Sequence, residues 1–280
     1  MIIPRAAADL KTIAAHYDDL DAFYRRFWGT GLHHGYWITG KESRDEAVDN
    51  LTRLVAERAE LDRGASVCDL GCGYGTVALS LSREFGAKVT GLTVSEKQYV
   101  HARTLSGGSD RMKFYLRDAL DSGLPGGSYD AVIAIESTEH IGDKARFLTE
   151  AARLLRSGGR CVVAAWLSRE HPNAWEKRYL LEPICVEGRL PSMASALEFR
   201  AMFAAAGLRE ITFSDLTRSV KKTWVICARR VAGQFLIDPT FRRQLTNRQF
   251  ANRVFAKTVF RIWLAYRTGS MRYGVFSATK

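Results

Sequence analysis

Between residues 65 and 216 the chain alternates short apolar runs with apolar-periodic stretches, and this alternation constrains the fold more than any other feature. "ASVCDL", "AKVTGL", "RMKFYL", "YDAVIAI", "RCVVAAWL" and "LREITFSDL" read as strands. "TVALSLSREF", "SEKQYVHARTL", "GDKARFLTEAARLLRSGG" and "ALEFRAMFAAAG" read as helices. Gly158 and Gly159 close the third of these helices, as residues without a Cβ do at a C-cap. Strands and helices alternating at this length predict an α/β fold, a doubly wound parallel sheet with helices on both faces.

Two segments flank this core. Residues 6 to 28 place Ile13, Tyr17, Leu20, Tyr24 and Phe27 at helical spacing, "GTGLHHGYW" breaks that helix, and a second helix covers 44 to 61. After 216 the alternation stops: 217 to 267 reads as helical and "MRYGVFSATK" as a last strand. The predicted organisation is an N-terminal helical lid (1–62), a Rossmann-like domain (63–216), a helical cap inserted between the last two strands (217–268) and the final strand (269–280). A chain of 280 residues is long enough for one large domain with such a cap.

Composition narrows the class. Hydrophobic residues at 46% and charged residues at 25% are globular values. The longest apolar run, "CVVAAWL", has seven residues, against roughly 20 needed to span a bilayer. "MIIPRAAADLK" is interrupted by Arg5, Asp9 and Lys11, so no secretion leader is expected. The five cysteines (68, 72, 161, 185, 227) include no C-x-x-C pair and read as reduced thiols of a cytoplasmic protein, with no metal site. The net charge of +11 is uneven: residues 229 to 280 hold eleven Arg or Lys against Asp238 alone, a balance of +10. Such a tail suits phosphate, anionic lipid or nucleic acid, or simply a solvated face.

The sharpest motif is "VCDLGCGYG", 67 to 75, a strand ending in Asp69 and Leu70 followed by Gly71, Gly73 and Gly75 at a helix start. Glycines there let a ligand lie against bare main chain. The spacing is not G-x-G-x-x-G, and Asp69 can accept from an ammonium group, which a dinucleotide's pyrophosphate lacks. A second feature is "DAVIAIESTEH", 130 to 140, where an apolar strand runs into Glu136, Glu139 and His140.

"VCDLGCGYG" resembles motif I of the class I S-adenosylmethionine-dependent methyltransferases. The resemblance implies a seven-stranded sheet of order 3-2-1-4-5-7-6 with the last strand antiparallel. It also implies S-adenosylmethionine as cofactor, with its methionine half over the glycine turn (Asp69, Gly71, Cys72, Gly73). "GLTVSEKQ" is similar to the tocopherol, sterol and cyclopropane-fatty-acid branch, in which Gln98, beside Thr93, takes the ribose; Ser95 and Gln98 also read as a capping box. Asp118, followed by Ala119, matches the acid that receives the adenine amine. "ESTEHI" resembles the same branch's reaction site, which makes Glu136, Glu139 and His140 catalytic candidates and Glu136 a cofactor contact. "HYD" at 16–18 and "GLHHGYW" at 31–37 resemble its lid. There Tyr17 and Trp37 are expected against the cofactor, and His33, His34 and Tyr36 against the substrate.

The expected function is methyl transfer to a lipophilic small molecule (isoprenoid, prenyl diphosphate or quinol-like), at carbon, with N- or O-methylation of a secondary metabolite as the alternative. The tail is expected to meet anionic membrane or a substrate diphosphate. A nucleic-acid methyltransferase is disfavoured, because "ESTE" stands where amino-methylating enzymes carry "[DNS]-P-P-[YFW]". A non-catalytic membrane-surface protein is the remaining alternative.

Overall fold

The computed structural model describes residues 1–5, 8–27, 31–246 and 253–280. In chain order it contains α1 (Leu10–Phe27), α2 (Arg44–Arg58), β1 (Ser66–Leu70), α3 (Thr76–Glu84), β2 (Lys88–Thr93), α4 (Glu96–Ser106), β3 (Met112–Leu116) and β4 (Tyr129–Ile135). Then follow α5 (Lys144–Leu154), β5 (Leu155–Ser168), α6 (Ala174–Glu176), α7 (Glu182–Glu187), α8 (Ala196–Ala205) and β6 (Arg209–Asp215). The chain closes with α9 (Thr217–Val220), α10 (Lys222–Ile237), α11 (Pro239–Thr246), α12 (Arg253–Thr268) and β7 (Met271–Thr279).

The seven strands form one sheet of order β3-β2-β1-β4-β5-β7-β6. β1, β2, β3, β4 and β5 pair in parallel, and β7 runs antiparallel to both β5 and β6. This is the expected topology. Residues 131–135 of β4 are all buried because helices cover both faces of the sheet, so an uninterrupted apolar run is what such a strand requires. One face packs Leu51, Val55, Ala78 and Leu81 together with Trp224, Val259 and Tyr266. The other packs Phe147, Leu148, Phe199 and Phe203 against Phe276.

Three features differ from the reading of the sequence. Gly158 and Gly159 do not cap α5. The helix ends at Leu154, and Leu155, fully buried, leaves at φ −67°, ψ 141° and pairs with Tyr129. Residues 156–159 then bulge out of the ladder before Arg160 pairs with Ala131. Gly158 makes that bulge at φ +76°, and the two glycines bond to the chain's last residue, Lys280. Second, α2, which the sequence reading placed in the N-terminal lid, packs into the core of the sheet domain: Ala47, Leu51 and Val55 are fully buried, and packing continues across residue 62. Third, 174–187 is helical, with a π-helical turn over Lys177–Leu181, where no helix was expected.

The cap does lie between β6 and β7. Its Val220, Trp224, Val231, Val259 and Ile262 belong to the same core as the sheet, so it is seated rigidly above the strand ends. In α1, Ile13 is buried and Tyr17 half-buried; the side chains of Leu20, Tyr24 and Phe27 lie outside the described residues. The five cysteines are buried and unpaired.

Candidate active site

The carboxyl ends of the parallel strands open into one cavity, where ligands of such sheets bind. The β1 turn makes its floor. Gly71 has φ +93°, and a Cβ there would fall 2.2 Å from that of Ser137, so only glycine lets the β1 and β4 turns touch. Ser137 Oγ donates to the Leu70 carbonyl at 2.5 Å, closing this contact. At Gly73 (φ +53°) the space a Cβ would fill is open, leaving main chain bare to the cavity. Asp69 is 1% exposed and its Oδ2 has no protein partner among the described residues. Burial pushes its carboxyl up to about 7. An orphaned buried carboxyl beside bare backbone suits a cationic amine, which would restore its ionised form.

Past β2, Ser95 caps α4 through the Gln98 amide, but the return bond of a capping box is not formed. The Ser95 amide donates to Thr93 Oγ1, and Thr93 Oγ1 donates to Gln98 Oε1 at 2.9 Å. The Gln98 side chain is thus fixed at the cavity wall rather than spent on the helix end. Asp118 Oδ1 accepts from the Leu120 amide at 2.9 Å in a tight turn that also brings Ala119 to the cavity. The roof here is α1. Asp18 accepts from Ser95 Oγ at 2.6 Å, and Asp21 accepts from Tyr74 Oη at 2.6 Å.

At the end of β4, Glu136 sits at φ +53°, a left-handed conformation that costs a residue with a side chain roughly 1–2 kcal/mol. Its carboxylate accepts four hydrogen bonds. Oε1 takes the His34 amide (2.7 Å) and Tyr273 Oη (2.8 Å); Oε2 takes His34 Nδ1 (2.9 Å) and Trp166 Nε1 (2.8 Å). Burial acts to raise this carboxyl, but His34 and His33 outweigh it and hold it at about 2. His34 Nε2 accepts from Trp224 Nε1 at 2.6 Å; an indole N–H only donates, so the His34 proton sits on Nδ1, facing Glu136. Glu136 therefore joins the N-terminal strap, β5 and β7 directly, and α10 through His34. Of the three catalytic candidates at the end of β4, Glu136 is thus the one whose carboxylate oxygens each accept from two protein donors.

Glu139 and His140 differ in character. Glu139 is 5% exposed and its Oε1 accepts from the Trp166 amide at 2.5 Å. Burial, with the Glu136 charge behind it, raises its carboxyl far above the usual range. Burial likewise lowers the nearby Lys144 amine, whose Nζ donates to Ile141, Ser192 O and Ser192 Oγ. Burial, then the His16 ring, pulls His140 down to about 3, so it is neutral near neutral pH. Its Nδ1 faces the Arg189 carbonyl at 3.3 Å, which only accepts, so Nε2 carries the lone pair and meets Tyr17 Oη at 2.7 Å.

The cavity wall thus brings together Tyr17, His33, His34, Asp69, Gly71, Cys72, Gly73, Thr93, Gln98, Asp118, Ala119, Glu136, Glu139 and His140. Tyr36 and Trp37 are not on it. Their amides donate to Ala47 O and Ser219 O, tying the strap between α2 and α9, and the Trp37 ring lies under Lys222 Nζ, 5.4 Å away. Trp224, Tyr273, Ile184, Leu190, Thr258 and Ile262 escaped sequence reasoning as site residues. Nothing local marks them; for Trp224, Thr258 and Ile262 alone, the cap's position over the strand ends pointed their way.

Replacing Glu136 with Gln sets an amide NH2 against two of the four donors and removes the charge that all four meet. The expected cost is about 3–5 kcal/mol of unfolding free energy, measured by denaturant titration, whereas loss of a mere base would leave stability unchanged. Because the folded-state pKa is depressed, this stabilisation is full above the unfolded carboxylate pKa of about 4.3 and is lost as pH falls toward about 2.

Comparison with known proteins agrees with this geometry. Residues 5–235 match the family described as mycolic acid cyclopropane synthetase. The 27-O-demethylrifamycin SV methyltransferase of Amycolatopsis mediterranei is 31% identical over 79% of this chain and 82% of its own length. The 2-methyl-6-phytyl-1,4-hydroquinone methyltransferase of Synechocystis is 29% identical over 100% of this chain and 91% of its own. Among solved structures, the [4+2]-cyclase SpnF superposes with a TM-score of 0.83 at 27% identity, over 100% of this chain and 99% of that one. The chain therefore belongs to the mycolic acid cyclopropane synthetase family and is an S-adenosylmethionine-dependent methyltransferase of the branch that includes the tocopherol methyltransferases.

Proposed function

We propose that the enzyme methylates a lipophilic small molecule bearing a hydroxyl group, and that the methyl is delivered to the oxygen. The observation that carries this reading is the neutral His140 imidazole on the cavity wall, its Nε2 lone pair already bonded to a hydroxyl, that of Tyr17. An acceptor hydroxyl in the place of Tyr17 Oη would donate to that nitrogen and give up its proton there only as the methyl arrives. The positive charge then developing on the oxygen makes even this weakly basic imidazole a sufficient acceptor. The surrounding walls are apolar, with Ile13, Leu32, Ile184, Leu190 and Ile262.

S-adenosylmethionine supplies a methyl carbon already activated by positive sulfur. Asp69 is suited to its ammonium, Gln98 with Thr93 to the ribose hydroxyls, and Asp118 to the adenine amine. Trp166, Trp224 and α12 exclude water from the acceptor side, and alignment in such a dry site supplies much of the acceleration. The expectation of carbon as acceptor atom came from the resembled branch; the neutral His140 already bonded to a hydroxyl favours oxygen instead. A prenyl diphosphate is likewise disfavoured. Arg117 is the only Arg or Lys on the wall among the described residues, and its Nη1 is bonded to Ser122 O.

The test is turnover of prenylated phenols and hydroquinones with ¹³C-methyl-labelled donor, read by NMR. A methyl ether is expected; label on ring carbon, or no product from any such acceptor, would contradict the reading. His140→Ala should cut kcat by roughly 10²–10⁴ with cofactor affinity nearly unchanged. A variant running at the parent rate removes the base.

Calorimetry with S-adenosylhomocysteine addresses Asp69. Its carboxyl is protonated below about pH 7, so affinity should rise with pH through about 7 and then level off. Asp69→Asn should bind weakly and without that pH dependence; parent-like binding would refute the assignment.

A further inference from the structure

We propose that the corner between α10 and α11 docks the protein on an anionic lipid bilayer. α10 ends in three consecutive large apolar residues, Phe235, Leu236 and Ile237, exposed by 42%, 74% and 74%. Isolated exposed apolar residues are ordinary on a soluble surface, but a run of three at one protruding corner is not. The chain turns there at Asp238, whose Oδ1 accepts from the Thr240 and Phe241 amides and so starts α11. Arg242 Nη1 donates to the carbonyls of Phe235 (3.2 Å) and Leu236 (2.7 Å), which fixes a guanidinium against the apolar tip. Arg229, Arg230 and Arg243 are exposed on the same two helices, and Asp238 is the single acid of 229–246.

The rest of α10 holds this corner firmly, since Trp224, Cys227 and Val231 are buried in the core. α12, which packs beside it, adds exposed Val254, Lys257 and Phe260. Charge selects the occupant. A second copy of the chain would set one strongly basic tail against another, each with a balance of +10 over residues 229–280. A nucleic acid would use the arginines and leave the apolar tip in water. An anionic bilayer takes both, with apolar side chains at the acyl boundary and guanidinium groups among the phosphates. The inference does not depend on which acceptor is methylated.

Flotation of the full-length protein tests it, with vesicles of phosphatidylglycerol and phosphatidylcholine against phosphatidylcholine alone. Uptake is expected on the anionic vesicles only and should fall with added salt. The double variant Leu236→Asp/Ile237→Asp should lose about tenfold or more of that uptake, the order expected when two apolar anchors go. Its melting temperature and S-adenosylhomocysteine affinity should stay as in the parent, which separates this result from any failure of the methyltransferase assignment. Absence of parent flotation, equal uptake on neutral vesicles, or a double variant that floats like the parent would each overturn the proposal. So would DNA binding, or dimerisation through this corner, without vesicle uptake.

Discussion

One buried carboxylate holds the catalytic end of this molecule together. Glu136 receives four hydrogen bonds from partners 30, 102 and 137 residues away in sequence. Charge-assisted bonds of this kind are the strong ones, and in a dry surrounding each unmade partner would cost a desolvation penalty of about 1–3 kcal/mol. The left-handed backbone at Glu136 is tolerated because these bonds over-determine it. Through them the N-terminal strap and the cap, neither of which belongs to the sheet, are placed over its strand ends. His34 stands at the centre, ringed by Trp166, Trp224, Tyr266 and Tyr273 with ring centroids 4.9–5.7 Å away.

That arrangement divides the titratable groups by role. Glu136 stays ionised because its donors outweigh burial; Glu139, with burial and a negative neighbour against it, is drawn toward its neutral form. His140 is kept neutral by burial, with its lone pair at the cavity. The environments of these neighbouring acids thus push their titrations apart, with a neutral imidazole beside them. Asp69, at the end of the neighbouring strand β1, is buried with one carboxyl oxygen lacking a partner among the described residues.

Much of this was legible in the chain. The strand–helix alternation carried the sheet, and the glycine turn with Asp69 was readable because a bare backbone beside a buried acid has a local signature. Three things were not. Gly158 and Gly159 looked like a helix cap, but burial of Leu155 and pairing of the final residues with the glycines made them part of a strand. Glu136 stood only as a catalytic candidate and cofactor contact, because a sequence shows a carboxylate but not its distant donors. Tyr36 and Trp37 follow His33 and His34 after a single glycine, yet backbone bonds to α2 and α9 turn the strap away from the cavity there. A resemblance carries over a segment, while side-chain direction is decided by what that segment packs against.

Glu136 as an ionised strut, not a proton carrier, is the claim on which the site rests. Its side-chain carboxyl can be followed by ¹³C NMR through an acid titration. The account predicts that the signal stays that of a carboxylate down to about pH 2, where the protein gives way. A carboxyl that titrates in the ordinary glutamate range, around 4–5, while the fold remains intact would contradict it.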